Sequence, residues 1–368
     1  MIRVLQVVGA LKIGGAETML MNLYRQIDRD SVQFDFLVYN EEETPYTDLV
    51  RKLGGRIFYI NEKYVRNPIL YYYKIKEICE KYGPFAAIHA HMDSHNAIPI
   101  TFARFLKIPI RISHSHTTIR KVQKGLFRRI YIFISGFLIN LNSTKRISCG
   151  EEAGKSLYGK KSFDVIYNPI DIDSFCNVPD DIIISLKKQW GMPEKKAVLG
   201  MVGRLSVEKN HMLMLDVADL IKKQRLDFLF VVAGDGPLRK DLEQKIKERE
   251  LENYVKLLGN IKEIPVFLKC INLLFMPSIY EGFPVSLIEA QASGVNAVIS
   301  DSITKEADLK MGLIHPCALD ASASVWLKII CEVLSNIKTI DIDRKTILEK
   351  LGFDSKVCAK RLVKLYEK

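Results

Sequence analysis

The chain has 368 residues, of which 48% are hydrophobic and 26% charged, a balance that excludes a disordered or fibrous chain and leaves room for about two domains with cores of their own. Lys and Arg outnumber Asp and Glu by 54 to 43, a net charge of +11, which favours an anionic partner without choosing it. The seven cysteines are scattered and contain no CxxC, which excludes a zinc ribbon and argues against a disulfide framework, as in a reducing cytosol.

The first residues, through Val8, read as a buried strand. Their apolar core is too short for a leader, and Gly14-Gly15-Ala16-Glu17 follows where a leader helix would have to continue. No run of about 18 apolar residues exists, so no membrane-spanning helix is expected. Strands are predicted at 2–8, 33–39, 56–60, 86–90, 110–113, 144–148 and 163–167, with helices at 16–27, 69–82 and 125–141 between them. Turn signals from Asn168-Pro169 to Pro193 mark a boundary. Strands then resume at 197–203, 228–233, 255–258, 273–276 and 295–300. Helices are expected at 209–223, 238–249, 285–293 and 321–336, and a last amphipathic one at 355–367. This α/β alternation predicts two doubly wound, Rossmann-like domains facing each other across a cleft, with ligands at the carboxyl ends of the strands.

Nearly all of the basic excess lies in the first 170 residues. Between Asp93 and Glu151 there is no acidic residue but there are ten Lys or Arg, including Arg120, Lys121, Lys124, Arg128 and Arg129. The apolar stretch from Ile130 follows directly. Such a pairing suits an anionic membrane surface. It equally suits a core helix with solvated basic flanks.

Several loops carry chemistry. Gly14-Gly15 opens a helix after the first strand, where backbone N–H groups can approach an anion; any strand-to-helix turn uses glycine as well. Gly150-Glu-Glu-Ala-Gly154-Lys155-Ser156 is one residue short of a P-loop and reads as an ordinary helix start. Asp171 and Asp173 are a weak magnesium signal and read as chain-reversal residues. His89 and His91, and His114 and His116, are spaced so that each pair shares one strand face. A zinc site there lacks an obvious third ligand. The alternative is a histidine at a strand end that hydrogen-bonds or exchanges protons.

Gly203-Arg204 to Lys209 puts two cations on one strand-to-helix loop, as a diphosphate requires, although surface ion pairs would look the same. The fullest set runs from Ser278 to Ala290. Glu281 lies in a loop, Gly282-Phe283-Pro284 restarts the chain as a helix, and Glu289 follows in its early turns. The N–H groups of Val285, Ser286 and Leu287 are expected to form an anion seat. Glu289 beside it can accept from two vicinal hydroxyls, such as a ribose. A capped surface helix is the bland reading of the same residues.

Together these residues resemble the retaining glycosyltransferases of family four, which have the GT-B fold, and most closely their capsular and exopolysaccharide branch. Supporting stretches include Arg111-Ile-Ser-His114-Ser-His116, Cys149-Gly-Glu-Glu-Ala-Gly154, Val165-Ile-Tyr-Asn168-Pro-Ile-Asp171 and Gly234-Asp235-Gly236-Pro237. The resemblance implies that Arg204 and Lys209, beside Gly203, hold the donor diphosphate, and that Glu289 binds the ribose. Glu281, with the backbone of Gly282, Phe283, Pro284 and Val285, would bind the donor sugar. Gly15 would approach the phosphate or acceptor, and His116 would contact the sugar near its reacting carbon. Gly234, Gly236 and Ile261 belong to loops that would enclose the base. Asn296, where the family usually has proline, and Asn168-Pro169, in place of Asn-Gly, read as local loop variation.

The implied domains are an acceptor domain 1–172, an interdomain segment 173–195, a donor domain 196–345 and a final helix, 346–368, packing back on the first domain. The implied reaction moves a sugar from a nucleotide-diphosphate donor, UDP by resemblance, to a saccharide acceptor linked to a polyprenyl diphosphate. No cofactor and no metal is expected, and no nucleic acid, since no basic recognition helix or aromatic platform is evident. The basic segment 104–146 adds a peripheral position on the inner face of the cell membrane to a cytoplasmic location. Two alternatives stand beside this reading: a nucleotide-sugar epimerase on the same fold, and a non-catalytic nucleotide-sugar-binding partner.

Overall fold

The computed structural model of the chain describes all residues except 13, 62–63, 65–66, 118–125, 338–341 and 368. Of the basic residues singled out above, Arg120, Lys121 and Lys124 lie outside the described residues. The chain divides into two compact units, Met1–Ile170 with Gly352–Lys368, and Asp171–Leu351. The segment 173–195 is part of the second unit. Its helices Ile172–Cys176 and Asp180–Gln189 are tied there by the Lys345–Asp173 ion pair at 2.6 Å and by the Cys270 thiol on the Ile183 carbonyl. Helix Arg344–Leu351 also stays in the second unit, where Arg344 Nε donates to the Ala292 carbonyl.

The first unit is built on seven strands: β1 Ile2–Val8, β2 Val32–Val38, β3 Ile57–Tyr59, β4 Ala87–Ala90, β5 Ile110–Ser115, β6 Lys145–Ser148 and β7 Asp164–Val165. They pair in parallel in the order β3-β2-β1-β4-β5-β6-β7. Parallel strands need crossovers, so helices cover both faces and the central strands are largely buried, polar Gln6, Asp35 and His89 included. Alternate residues supply the two cores. Val4, Phe34, Phe36 and Ile112 pack with Leu20 and Tyr24 of helix Gly15–Gln26, and with Cys358, Leu362 and Tyr366 of helix Ser355–Tyr366. Leu5, Val7, Leu37 and Ile88 face the other way, onto Tyr71, Ile75 and Ile100. Each such side chain contributes about 1.5–3 kcal/mol when fully buried.

The second unit holds β8 Ala197–Val202, β9 Phe228–Ala233, β10 Val255–Gly259, β11 Leu273–Met276, β12 Asn296–Ser300 and β13 Ile314–Cys317. All pairs are parallel, in the order β10-β9-β8-β11-β12-β13. Its core centres on Phe230, Phe275 and Trp326. Strand order reverses between β8 and β11 here, and between β1 and β4 in the first sheet. Loops leaving the carboxyl ends of those strands diverge and leave room for a ligand.

The structure adds elements that the pattern did not announce. Strand β13 contains Pro316, which argues against a strand until β13 proves to be a sheet edge, where a missing N–H costs nothing. Helix Pro45–Lys52 is started by a Thr44 capping box and proline in its first turn, a signal already legible in the sequence. Helices Ala97–Phe105 and Ile264–Cys270 also carry an early proline. The strand expected at 163–167 shrinks to the edge pair Asp164–Val165.

Candidate functional site

The two strands that flank the reversal in the second sheet, β8 and β11, deliver the richest loops. After β8 the chain turns at Gly203, whose φ of 144° is open only to glycine in practice. After β9 it turns at Gly234, φ 151°, where a Cβ would lie 1.9 Å from the Gly203 carbonyl oxygen. A Cβ on Gly236 would meet the Leu205 carbonyl oxygen at 2.5 Å. Gly234 N–H donates to the Gly259 carbonyl at 2.8 Å, and Leu205 N–H to the Asp235 carbonyl at 3.0 Å. Three loops are thereby stacked backbone on backbone, with Ile261 two residues beyond Gly259.

Past Gly203, Arg204 is exposed and forms no hydrogen bond or ion pair among the described residues. The short turn Val207–Lys209 follows, and Asn210 enters the left-handed region, φ 55°, to start helix His211–Gln224. Asn210 Nδ2 donates to the Pro277 carbonyl at 3.2 Å, and Ile279 N–H to the Glu208 carbonyl at 2.8 Å. These bonds lash the β8 loop to the β11 loop. They bring together two residues far apart in sequence: Lys209 Nζ donates to Glu281 Oε1 at 2.7 Å. Ser278 Oγ donates to the same oxygen at 2.6 Å. Both side chains are largely covered, with Lys209 at 20% and Glu281 at 12% exposure. The role of Ser278 emerges only from this geometry; a small hydroxyl three residues before a glutamate carries no signal of its own.

Helix Val285–Ser293 starts behind Pro284, has no side-chain cap and carries no acidic residue in its first turn. The N–H groups of Val285 and Ser286 have no protein acceptor among the described residues, so the positive end of the helix is open to an anion. Leu287 is different. Its side chain is fully buried and its N–H is spent on the Pro284 carbonyl at 3.0 Å. The expected seat of three amides is therefore one of two. Phe283 is buried at the turn, and Gly282 is partly exposed beside it. Glu289, one turn further on, is half-buried and unpaired among the described residues, and burial pushes its carboxyl up to about 7. A carboxyl held there without a partner is ready to accept hydrogen bonds from a ligand.

In the first unit, Gly15 opens its helix behind an extended Gly14 with no side-chain cap, and nothing lies within 4 Å of where its Cβ would be. His116 follows β5. Its backbone N–H donates to Asp93 Oδ1 at 2.7 Å, and Thr117 Oγ1 donates to Asp93 Oδ2 at 2.8 Å. Asp93 itself takes a left-handed φ of 50° to reach them. The His116 ring stacks on His114 with centroids 4.1 Å apart, and His89 on the neighbouring strand β4 and His91 just beyond its end complete a buried group of four imidazoles. Desolvation keeps them neutral: His116 is pushed down to about 4 and His89 to about 3, and His91 and His114 lie well below the usual range.

Pairing of β4 with β5 supplies the third imidazole that sequence spacing could not. One ligand nitrogen from each of His89, His91 and His114 lies within 4.8 Å of the others. Both ring nitrogens of His91 are already hydrogen-bonded, to His116 and to Gln6. A metal ion here would have to displace one of them. Asp171 stands at the start of helix Ile172–Cys176, and Asp173 pairs with Lys345. Asn296 begins β12 and accepts from His315 Nε2 at 2.9 Å.

Residues 13–174 match the model described as Glycosyltransferase Family 4, and residues 183–309 the one described as Glycosyl transferases group 1. EpsF of Bacillus subtilis (strain 168), provisionally named a glycosyltransferase, is 34% identical over 99% of this chain and 96% of its own length. The Escherichia coli UDP-Gal:alpha-D-GlcNAc-diphosphoundecaprenol alpha-1,3-galactosyltransferase is 27% identical over 79% of this chain and 80% of its own. Among solved structures, Anabaena Alr3699/HepE in complex with UDP and glucose superposes with a TM-score of 0.81 at 19% identity, covering 99% of both chains. Matched end to end by such a relative and by family models in both halves, the chain belongs to glycosyltransferase family four and has its GT-B fold.

Proposed function

We propose that the chain is a retaining, metal-independent transferase that moves a sugar from a UDP-sugar to a saccharide carried on a polyprenyl diphosphate, as in surface-polysaccharide assembly. The observation that carries this reading is the grouping of Lys209, Glu281, the open amides of Val285 and Ser286, and the unpaired Glu289 around the β8/β11 reversal. Breaking an anomeric carbon–diphosphate bond develops negative charge on the leaving group and an oxocarbenium-like sugar. Arg204, Lys209 and the helix N-terminus stabilise the diphosphate, the task a metal performs in other transferases. Glu281 and the Gly282 backbone hold the sugar, Glu289 accepts from the ribose, and His116 contacts the sugar near its reacting carbon. Attack from the leaving-group face lets the departing phosphate take the acceptor proton, so no protein nucleophile is needed. UDP is favoured over other nucleotides by the donor named for the Escherichia coli relative, and the lipid-linked acceptor by its substrate.

A thermal-shift panel of nucleoside diphosphates and their sugars tests the donor. A ligand at 100 times its dissociation constant stabilises by about 2.7 kcal/mol; a panel that leaves the melting temperature unmoved throughout refutes the reading. Conversion of UDP-sugar without acceptor would favour the epimerase, and binding without turnover the non-catalytic partner.

The membrane part of the proposal rests on helix Leu126–Asn142, which exposes Phe127, Phe133, Phe137 and Leu141 at 89%, 77%, 61% and 56%, with Arg128 and Arg129 exposed among them. No helix among the described residues is long and apolar enough to cross a membrane. Aromatic side chains interleaved with arginines on one exposed helix fit the interfacial layer of an anionic bilayer. Flotation with anionic liposomes is expected to recover the protein at low salt and lose it at high salt. Absence from the liposome fraction at both would remove this part.

A further inference from the structure

The His116 ring ends a buried hydrogen-bonded chain that reaches helix Ser355–Tyr366. His116 Nε2 lies 3.0 Å from His91 Nδ1, and His91 Nε2 lies 2.9 Å from Gln6 Oε1. Gln6 Nε2 donates to the Tyr366 hydroxyl at 3.2 Å, and that hydroxyl is 2.8 Å from His89 Nδ1. Every member is more than nine-tenths buried. Gln6 sits on β1, opposite His89 of β4 in the sheet register.

The chain has a direction. A carboxamide oxygen only accepts, so His91 donates to Gln6 from Nε2. Buried among other imidazoles, His91 is neutral, which leaves its Nδ1 as a bare lone pair. The proton between the two histidines therefore belongs to His116 Nε2. Neutral His116 then carries a lone pair on Nδ1, and that nitrogen is buried without any protein partner. At the far end, the Gln6 amide N–H meets the oxygen of Tyr366, whose own proton goes to His89 Nδ1. No carboxylate joins the ring-to-ring path among the described residues; on His116, Asp93 meets the backbone N–H and not the ring, and its charge partly offsets the desolvation of the ring.

We propose that Gln6 and Tyr366 are positioning residues that lock His116 as its Nε2–H tautomer and so keep Nδ1 as an acceptor for a hydroxyl of the reacting substrate. This assignment deepens the proposed function and rests on its role for His116. A ring locked the other way would present an N–H and suit a carbonyl or an oxyanion; the lock thus chooses which chemical group the ring reads.

Long-range nitrogen–proton NMR on the full chain, labelled at histidine, reads the tautomer directly. At neutral pH, His116 is expected to show a pyridine-type Nδ1 and a pyrrole-type Nε2. Gln6→Leu should turn this into a tautomer mixture and lower kcat by about tenfold or more, with donor KM unchanged. Gln6→Glu keeps an acceptor toward His91 and should restore the wild-type tautomer signature. Tyr366→Phe removes only the hydroxyl that orients the amide and should give an intermediate pattern. A protonated Nδ1 in the wild type would overturn the proposal without any variant having to fold. So would a Gln6→Leu tautomer shift with unchanged kcat. One equivalent of added Zn²⁺ that moves the His89, His91 and His114 signals would also overturn it, since the metal would displace His116 or Gln6 from His91 and break the chain. Failure of the donor panel above would instead strike the proposed function, while the tautomer remains readable in the free protein.

Discussion

Lys209→Ala is expected to slow sugar transfer by roughly 10²–10³-fold, the usual cost of deleting one preorganised donor to a developing anion. Its ammonium lies in a largely covered pocket of loops, where a charge is worth more than at the surface. In the free protein it is held by Glu281, so the cation is already placed when a diphosphate arrives. The loss should fall mainly on kcat, because the leaving group gains charge in the transition state. Lys209→Arg keeps the charge but not the reach of a compact ammonium and should recover only part of the rate. Wild-type activity should be unchanged by EDTA. Steady-state kinetics on purified protein check all three; a wild-type enzyme that stops in EDTA and restarts with magnesium would refute the metal-free account.

Glu289→Gln should separate binding from stability. The half-buried carboxyl has its pKa raised from 4.5 to about 7 in the folded state. Between those values the folded protein holds more protons than the unfolded chain, so stability falls as pH rises through this window and stays lower above it. A neutral glutamine escapes that cost, and the variant should melt higher than wild type at pH 8 but not at pH 4. Donor affinity should move the opposite way. Hydrogen bonds to a charged acceptor are worth about 1.5–3 kcal/mol, so the variant should bind a nucleotide-sugar about tenfold more weakly or worse. Wild-type affinity should itself decline as pH drops below about 7, because protonation removes the charge that strengthens those hydrogen bonds. Melting curves at the two pH values and calorimetric titration with a UDP-sugar test the pair; a wild-type affinity flat from pH 8 to pH 5 would exclude Glu289 from the ribose.

The alternation of apolar strands and amphipathic helices was legible because parallel strands are buried on both faces and leave mainly apolar runs, unbroken in β9 and interrupted only by Gln33 and Asp35 in β2. Glu281 and Glu289 were legible as a pair because Gly282-Phe283-Pro284 fixes a loop-to-helix junction between them. Their partners were not. Lys209 and Glu281 are 72 residues apart and meet only because strand order reverses between β8 and β11. The histidine pairs announced a shared face, but not that β4 and β5 would be neighbours. Gln6 and Tyr366 lie 360 residues apart and looked like ordinary members of a strand and a helix. Leu287 departs from the expected seat for a local reason: at a helix start, a backbone carbonyl three residues back can claim an N–H that the motif leaves formally free.

The first unit is assembled from the two ends of the chain, with the whole second unit inserted between Ile170 and Gly352. Cys358, Ala359, Leu362 and Tyr366 fill a core otherwise laid down by the first 170 residues. On a translating ribosome the amino-terminal sheet must therefore wait, one face only partly covered, for residues made after the second unit, whereas the inserted unit is contiguous and can mature first. Vectorial synthesis thus inverts the order of completion, and a stalled or prematurely terminated chain would release its N-terminal half as the sticky, chaperone-dependent fragment.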